Sequence, residues 1–327
     1  MRIFRTPAIA VVAATFLLSA CGTTEEPSTG SSSASGSTAE GPVSVTDARG
    51  EKLELDQPAE KVVGLEWSDL EMLVTLGVMP VGAADIKGYS SWVKAAPLDE
   101  SVKDVGTRQE PSVDAIVALE PDLVIAHADR DQKLIEQLEE YVPVLVMQAT
   151  DASDNIGQMK HNVETIATTV GEEDKAADVL ADFDAKVAEG KDALAEAGVA
   201  GEQFAMADGW QDGSSIAIRM FGKGSLLSDI AVEMGLENGW TGKVDEWGLA
   251  QTDVEGLGTL GDVHFFYNAN DSDVDVFGEG LAKNAIWTSK PFVKDGKLYE
   301  IDEGTWTFGG PLSCEQFIDF VVKTLTS

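Results

Sequence analysis

The residues best suited to chemistry in this chain are arginines and aromatics at the ends of short apolar runs. Trp67, Tyr89, Trp92, Arg108 and Arg130 occupy such positions in the first half; Trp210, Arg219, Trp240, Trp247, Tyr267 and Trp306 occupy them in the second. Guanidinium groups present forked donors to ligand oxygens, and aromatic faces cover a bulky apolar ligand. That is the chemistry of recognition. A lone loop Trp is more often a lid over the core, and a lone Arg more often pairs with an acid, so the argument rests on their combination. Signatures of bond-making chemistry are missing: there is no Gly-x-Ser-x-Gly, Walker loop, dinucleotide fingerprint or His-Glu-x-x-His. Gly222-Lys223-Gly224-Ser225 lacks the spacing of a phosphate loop. The three histidines, His127, His161 and His264, are scattered over predicted elements, which argues against a zinc or manganese site of several His plus a carboxylate.

A repeated unit must position these side chains. Residues 112–126 (SVDAIVALEPDLVIA) and 253–267 (DVEGLGTLGDVHFFY) share an acid, Asp114 or Glu255, two spaced aliphatics, and an Asp leading into an apolar run. Each copy reads as a short helix, a turn and a buried strand, so the chain predicts two similar α/β lobes with a ligand cleft between them. Around the first copy the pattern gives a hairpin (43–47 with 52–55), strands at 61–65, 81–84 and 144–147, and helices at 68–76 and 132–141. Residues 85–92 read as a polar, aromatic-bearing loop. Residues 153–198 contain no Pro and repeat apolar positions at three and four, predicting two helices broken near Gly171, the second bridging the lobes. Gly190 inside that helix costs about 1 kcal/mol relative to Ala. Strands at 204–207, 216–220 and 297–301 and helices at 225–234 and 312–325 complete the second lobe. Strands alternating with helices on this scale indicate mostly parallel sheets, whose ligands bind beyond the carboxyl ends of the strands.

The N-terminus reads as an export signal. Arg2 and Arg5 precede an apolar core from Ala8 to Leu18, then Leu18-Ser19-Ala20-Cys21, similar to a bacterial lipobox in which Cys21 is lipidated. Gly22 to Gly41 is a Ser/Thr/Gly-rich tether. Removal of residues 1–20, which carry two Arg and no acid, takes the formal charge from −34 to −36. Such acidity argues against nucleic acid and anionic membrane surfaces as direct partners. With Cys21 modified, only Cys314 remains, so no intramolecular disulfide forms, and Cys314 reads as a buried structural residue. The expected divisions are a signal peptide (1–20), the lipidated Cys and tether (21–42), an N-terminal lobe (43–152), a helical linker (153–198) and a C-terminal lobe (199–327).

Residues 64–126, with GYSSW and GTRQEP inside them, resemble the first lobe of the ferric-hydroxamate-binding proteins of ABC importers. GKGSLLSDIAVEMGL, EWG, WTSKPFVKDGKLYEID and Trp306 to Pro311 are similar to the second lobe, so the resemblance covers essentially everything beyond the tether. It implies two Rossmann-like α/β lobes joined by a long rigid helix, the class III solute-binding arrangement, with a ferric siderophore in a shallow cleft. It implies no enzyme activity and no cofactor. Trp92 and Arg108 match first-lobe ligand contacts, with Arg108 donating to the hydroxamate oxygens around iron. Trp247 and Trp306 match a second-lobe aromatic wall, and Arg219 a second ligand-facing Arg. Arg130 stands where better-known members have Tyr, which favours a more electronegative ligand face. Tyr89, Trp67, Tyr267 and Trp210 complete the expected contacts.

In related importers an acid on each lobe pairs with Arg residues of the permease, a role that Asp114 and Glu255 match. Read alone, they are equally helix N-terminal acids, Thr252-x-x-Glu255 having the form of a capping box. The expectation is therefore a lipid-anchored monomer on the extracytoplasmic face of the cell membrane that hands a ferric siderophore, of trihydroxamate type, to an ABC permease. A cobalamin or haem carrier of the same fold would explain the aromatics but gives less reason for Arg108 and Arg219.

Overall fold

The computed structural model describes residues 41–213, 215–269 and 275–327; Cys21, the signal and nearly all of the tether lie outside them. The hairpin β1 (Val43–Thr46) and β2 (Lys52–Leu55) leads into β3 (Val62–Gly64), α1 (Trp67–Thr75), β4 (Gly82–Ala83) and α2 (Ile86–Trp92). Then follow β5 (Lys103–Asp104), α3 (Val113–Val117), β6 (Leu123–His127), α4 (Gln132–Glu139) and β7 (Val144–Met147). Two long helices, α5 (Asn155–Val170) and α6 (Glu173–Glu196), precede β8 (Gln203–Asp212), β9 (Ser215–Phe221) and α7 (Leu226–Glu233). The chain ends with β10 (Glu237–Asn238), β11 (Leu249–Thr252), β12 (His264–Asn268), α8 (Ala285–Thr288), α9 (Pro291–Lys294), β13 (Leu298–Glu300) and α10 (Pro311–Leu325).

The first sheet runs β5-β4-β3-β6-β7, all parallel. β3, β6 and β7 are buried at every residue, as a parallel sheet covered on both faces requires, which is why they read as unbroken apolar runs. The second sheet runs β11-β9-β8-β12-β13 and is mixed: β12 is parallel to β8 and β13, whereas β9 is antiparallel to β8 and β11. The β8–β9 ribbon is the part that strand–helix alternation did not announce. The two copies of the repeat also differ. The first is α3 plus β6, whereas before β12 there is only a 3-10 turn, Gly256–Thr259, because two glycines in four residues disfavour a helix.

Residues 85–92 are not a loop. Asp85 adopts a left-handed conformation (φ 56°), and its carboxylate accepts from the Gly88 amide at 3.1 Å, nucleating α2. Gly171, at φ 74°, ends α5, as the Gly there suggested. α5 packs on α1 and β1 on one side and α7 on the other, while α6 lies along α10 and α7, so the pair of helices makes the link. Gly190 has a packing reason: a Cβ there would stand 2.8 Å from Met234 Cε and 3.0 Å from Ile318 Cγ2.

One apolar cluster continues from the first sheet (Ile125, Leu145) through the linking helices (Val163, Ile166, Phe183) to the second sheet (Phe204, Phe266) and α10 (Phe317). Buried polar contacts cross the same boundary. Glu71 on α1 accepts from the Ser313 amide (2.8 Å) and hydroxyl (2.7 Å) on α10, and Asn155 donates to the Gly224 carbonyl at 2.9 Å. Near the cleft mouth Lys94 pairs with Glu303, and its amide donates to the Gly304 carbonyl at 2.9 Å.

Candidate functional site

The carboxyl ends of the first-sheet strands supply one wall of a cleft. β3 ends at Gly64 and turns through Glu66 into α1, placing Glu66, Trp67 and Ser68 there. β6 ends at His127, followed by Asp129 and Arg130; Arg108 follows β5, and Ala149 follows β7. The opposing wall comes from Arg219 on β9, Leu249 and Trp247 at the start of β11, Asn268 at the end of β12, and Trp306 and Phe308 between β13 and α10. Together they line two adjoining compartments. One, about 410 Å³, holds Glu66, Arg108, His127, Arg130, Trp247 and Phe308. The other, about 270 Å³, holds Trp67, Trp92, Asp208, Trp210, Asn268 and Phe277. Arg108, Arg219 and Trp306 border both.

The cations are held by acids. Glu66, 4% exposed, sits between two guanidiniums: Arg108 Nη1 lies 3.2 Å from one carboxylate oxygen, and Arg130 Nη2 pairs with the other. The Arg108 guanidinium lies over Trp67, 3.8 Å from its ring centroid, and 5.8 Å from that of Trp306. Burial pushes both guanidinium pKa values down, although both groups remain cationic at any physiological pH. The Nε atoms of Arg108 and Arg130 are buried without a hydrogen-bond partner. On the opposite wall Arg219 stands directly across the β8–β9 ladder from Asp208; its Nε donates to Oδ1 at 3.0 Å and Nη2 pairs with Oδ2. Burial drives the Asp208 carboxyl up, and Arg219 opposes the rise.

His127 is buried with Nε2 3.1 Å from Asp69 Oδ1 and 3.5 Å from Ser68 Oγ. Both contacts use the same ring nitrogen, so this is not the relay of a nucleophilic triad, which uses the two nitrogens separately. Burial alone would lower the imidazole pKa. The Asp69 carboxylate, by charge and hydrogen bond, with help from Asp129 and against Arg108, carries it above its ordinary value.

Aromatic rings join the two walls. Trp306 meets Trp67 at 4.9 Å, Trp92 at 6.1 Å and Phe308 at 5.3 Å between centroids, and Phe308 meets Trp247 at 5.9 Å. Of the sequence-predicted residues, the cleft brings together Trp67, Trp92, Arg108, Arg130, Trp210, Arg219, Trp247 and Trp306. Trp67, Trp92 and Trp210 sit on regular elements rather than in loops.

Two expected contacts are corrected. Tyr89 is fully buried and its hydroxyl donates to the Ala96 carbonyl at 2.5 Å, because α2 turns that face into the core. Tyr267, in the middle of an alternating strand, points into the second-lobe core, with its hydroxyl 3.4 Å from Asp275; Asn268 and Ala269 reach the cleft instead. Trp240 likewise packs against that core. Glu66 and His127 stand at strand ends on the ligand side, whereas Asp208 and Asn268 are polar residues of the site that sequence reasoning did not reach. The acidity of the chain was a signal that its arginines would have partners, but the partners' identities depend on strand register.

Asp114, in the first turn of α3, and Glu255, before the 3-10 turn, are both exposed. Neither caps: Ser112 accepts from the Ala115 amide, and Asp253, not Thr252, accepts from the Gly256 amide.

Residues 62–305 match the family described as periplasmic binding protein. The chain is 26% identical over 258 residues to the iron(3+)-hydroxamate-binding protein FhuD of Escherichia coli, covering 79% of this chain and 84% of that protein. It is 26% identical over 316 residues to the probable siderophore-binding lipoprotein YfiY of Bacillus subtilis, covering 93% and 92%. Among solved structures, the Fe3+–Desferal-bound siderophore-binding protein FhuD of Vibrio cholerae matches with a TM-score of 0.73 at 26% identity, over 82% of this chain and 98% of that one.

Proposed function

We propose, because this chain belongs to the periplasmic binding protein family, that its cleft captures a ferric siderophore of the hydroxamate class and delivers it to an ABC permease. The observation that carries this reading is the cleft itself: three guanidiniums, Arg108, Arg130 and Arg219, converge on a space walled by Trp247, Trp306 and Phe308. A hexadentate siderophore already saturates iron with six oxygens, so the protein needs donors to those oxygens and apolar surface for the organic shell. Arg108 and Arg130 have buried Nε donors without partners, and the aromatic line supplies the surface. The hydroxamate class is supported by the relatives named for hydroxamate and Desferal complexes, both at 26% identity.

On this reading Cys21 carries a lipid anchor on the extracytoplasmic face, and a monomer docks to the permease through Asp114 and Glu255, which are exposed. The test is tryptophan-fluorescence titration with ferrioxamine, ferrichrome, a ferric catecholate, cobalamin and haem. Saturable quenching by the two hydroxamates supports the reading. Quenching by cobalamin or haem alone overturns it.

A further inference from the structure

The cleft divides into two compartments of different character. The larger is bordered by charge: Glu66 between Arg108 and Arg130, with His127 and Asp129 beside them. The smaller is bordered mainly by the indoles Trp67, Trp92, Trp210 and Trp306 and by Val276 and Phe277, with Arg108 and Arg219 shared between the two. A compact chelate filling the first compartment leaves the second without an occupant, yet the second contains buried polar atoms that lack partners. Asn268, 5% exposed, donates through Nδ2 to the Thr305 carbonyl at 3.1 Å, while its Oδ1 has no partner. Trp67, 4% exposed, has an unpartnered Nε1–H. A buried carbonyl left unpaired is costly, so such a group in a ligand-sized space marks where a ligand donor belongs. Asp208, the register partner of Asn268 across β8 and β12, lies on the same border with both carboxylate oxygens held by Arg219, which leaves Asn268 Oδ1 as the open acceptor. Indole rings together with an oxygen acceptor suit an N–H group on an alkyl chain, as ammonium or as amide.

We propose that the smaller compartment is a separate subsite for an uncoordinated, N–H-bearing arm of a linear ferric hydroxamate, the N–H donating to Asn268 Oδ1. This rests on the siderophore reading and sharpens it: the chain selects linear, armed chelates over closed rings. Ferrioxamine B, which has a free aminopentyl arm, its N-acetyl derivative, whose arm ends in an amide, and ferrioxamine E, a ring without an arm, share the same iron centre. Their dissociation constants are measured by fluorescence quenching on the wild-type chain and on Asn268→Ala and Asn268→Asp. The armed chelates bind wild type about five- to tenfold more tightly than the ring, as one buried hydrogen bond would give. Whichever armed chelate binds more tightly identifies the group as ammonium or amide. Asn268→Ala brings the ratio close to one, and Asn268→Asp, which gives up the donor to the Thr305 carbonyl but keeps an acceptor, retains it. The ratio is read within one protein, so a loss of folded fraction does not alter it. Equal affinity of wild type for all three, or a preference that survives in Asn268→Ala, overturns the arm subsite and leaves the siderophore reading standing. Binding of none of them overturns both.

Discussion

Glu71 and Ser313 lie 242 residues apart and form a buried hydrogen-bonded pair between α1 of the first lobe and α10 of the second. Its carboxylate receives both the amide and the hydroxyl of Ser313 in the first turn of α10, where a helix favours negative charge. Gly309 and Gly310 make the approach possible: a Cβ on Gly309 would come within 2.5 Å of Glu71 Oε2. The pair fastens the floor beneath the cleft.

Removing half of that pair destabilises the fold. Ser313→Ala leaves a buried carboxylate short of a donor and costs about 1–3 kcal/mol in denaturant unfolding. Burial holds the Glu71 carboxyl above its ordinary value of 4.5, and the Ser313 bonds only partly offset it. The folded state therefore binds this proton more tightly than the unfolded one. The associated stability is fully present below the ordinary carboxylate range and is lost as pH rises through the raised value. Glu71→Gln flattens that part of the stability–pH curve; an unchanged curve would remove Glu71 as its source.

Arg108 is stacked as well as charged. Arg108→Ala weakens ferric hydroxamate binding by about 1.5–3 kcal/mol, the worth of charge-assisted hydrogen bonds. Arg108→Lys keeps the charge but loses the guanidinium over Trp67 and the forked donors, so it recovers little of the affinity. Isothermal titration with ferrioxamine checks both; full affinity in the Lys variant would reduce the role of Arg108 to charge alone.

His127 makes binding depend on pH. Its imidazole faces Asp69 and Asp129, which favour the proton, and Arg108, which opposes it, and the balance lies above the ordinary histidine value. Below that raised value the imidazolium adds a cation to the chelate compartment; as pH rises through it the charge is lost and affinity for an electronegative chelate face falls. Titrations across pH on wild type and His127→Gln test this, with the variant expected to give a flat profile.

Ligand binding is expected to produce only modest closure. One apolar cluster spans both sheets, and Glu71–Ser313, Asn155–Gly224 and Lys94–Glu303 cross between them, so a large rotation would expose buried surface and break buried polar contacts. Small-angle scattering with and without ferrioxamine should give superimposable profiles; a clear drop in radius of gyration would contradict this.

The elements whose physics is local were legible. Apolar runs within 61–65, 123–126 and 144–147 gave buried parallel strands, and the apolar spacing from 153 to 198 gave α5 and α6 with a break at Gly171. The helix within residues 85–92 carries no periodic signal in its seven residues, because it depends on one Asp in a left-handed conformation.

The amino-acid sequence by itself determined two α/β lobes linked by helices, and that Arg and Trp gather at strand ends, since periodicity and strand polarity are properties of neighbouring residues. Which acid holds which arginine was decided only in three dimensions. Asp208 meets Arg219 because of the register of a ten-residue strand, and Glu66 meets Arg108 and Arg130 because two loops from different strands converge on the start of α1. The same holds for the aromatics: Tyr89 and Tyr267 turned inward and Trp306 outward, a choice made by which face of each element the core had already taken.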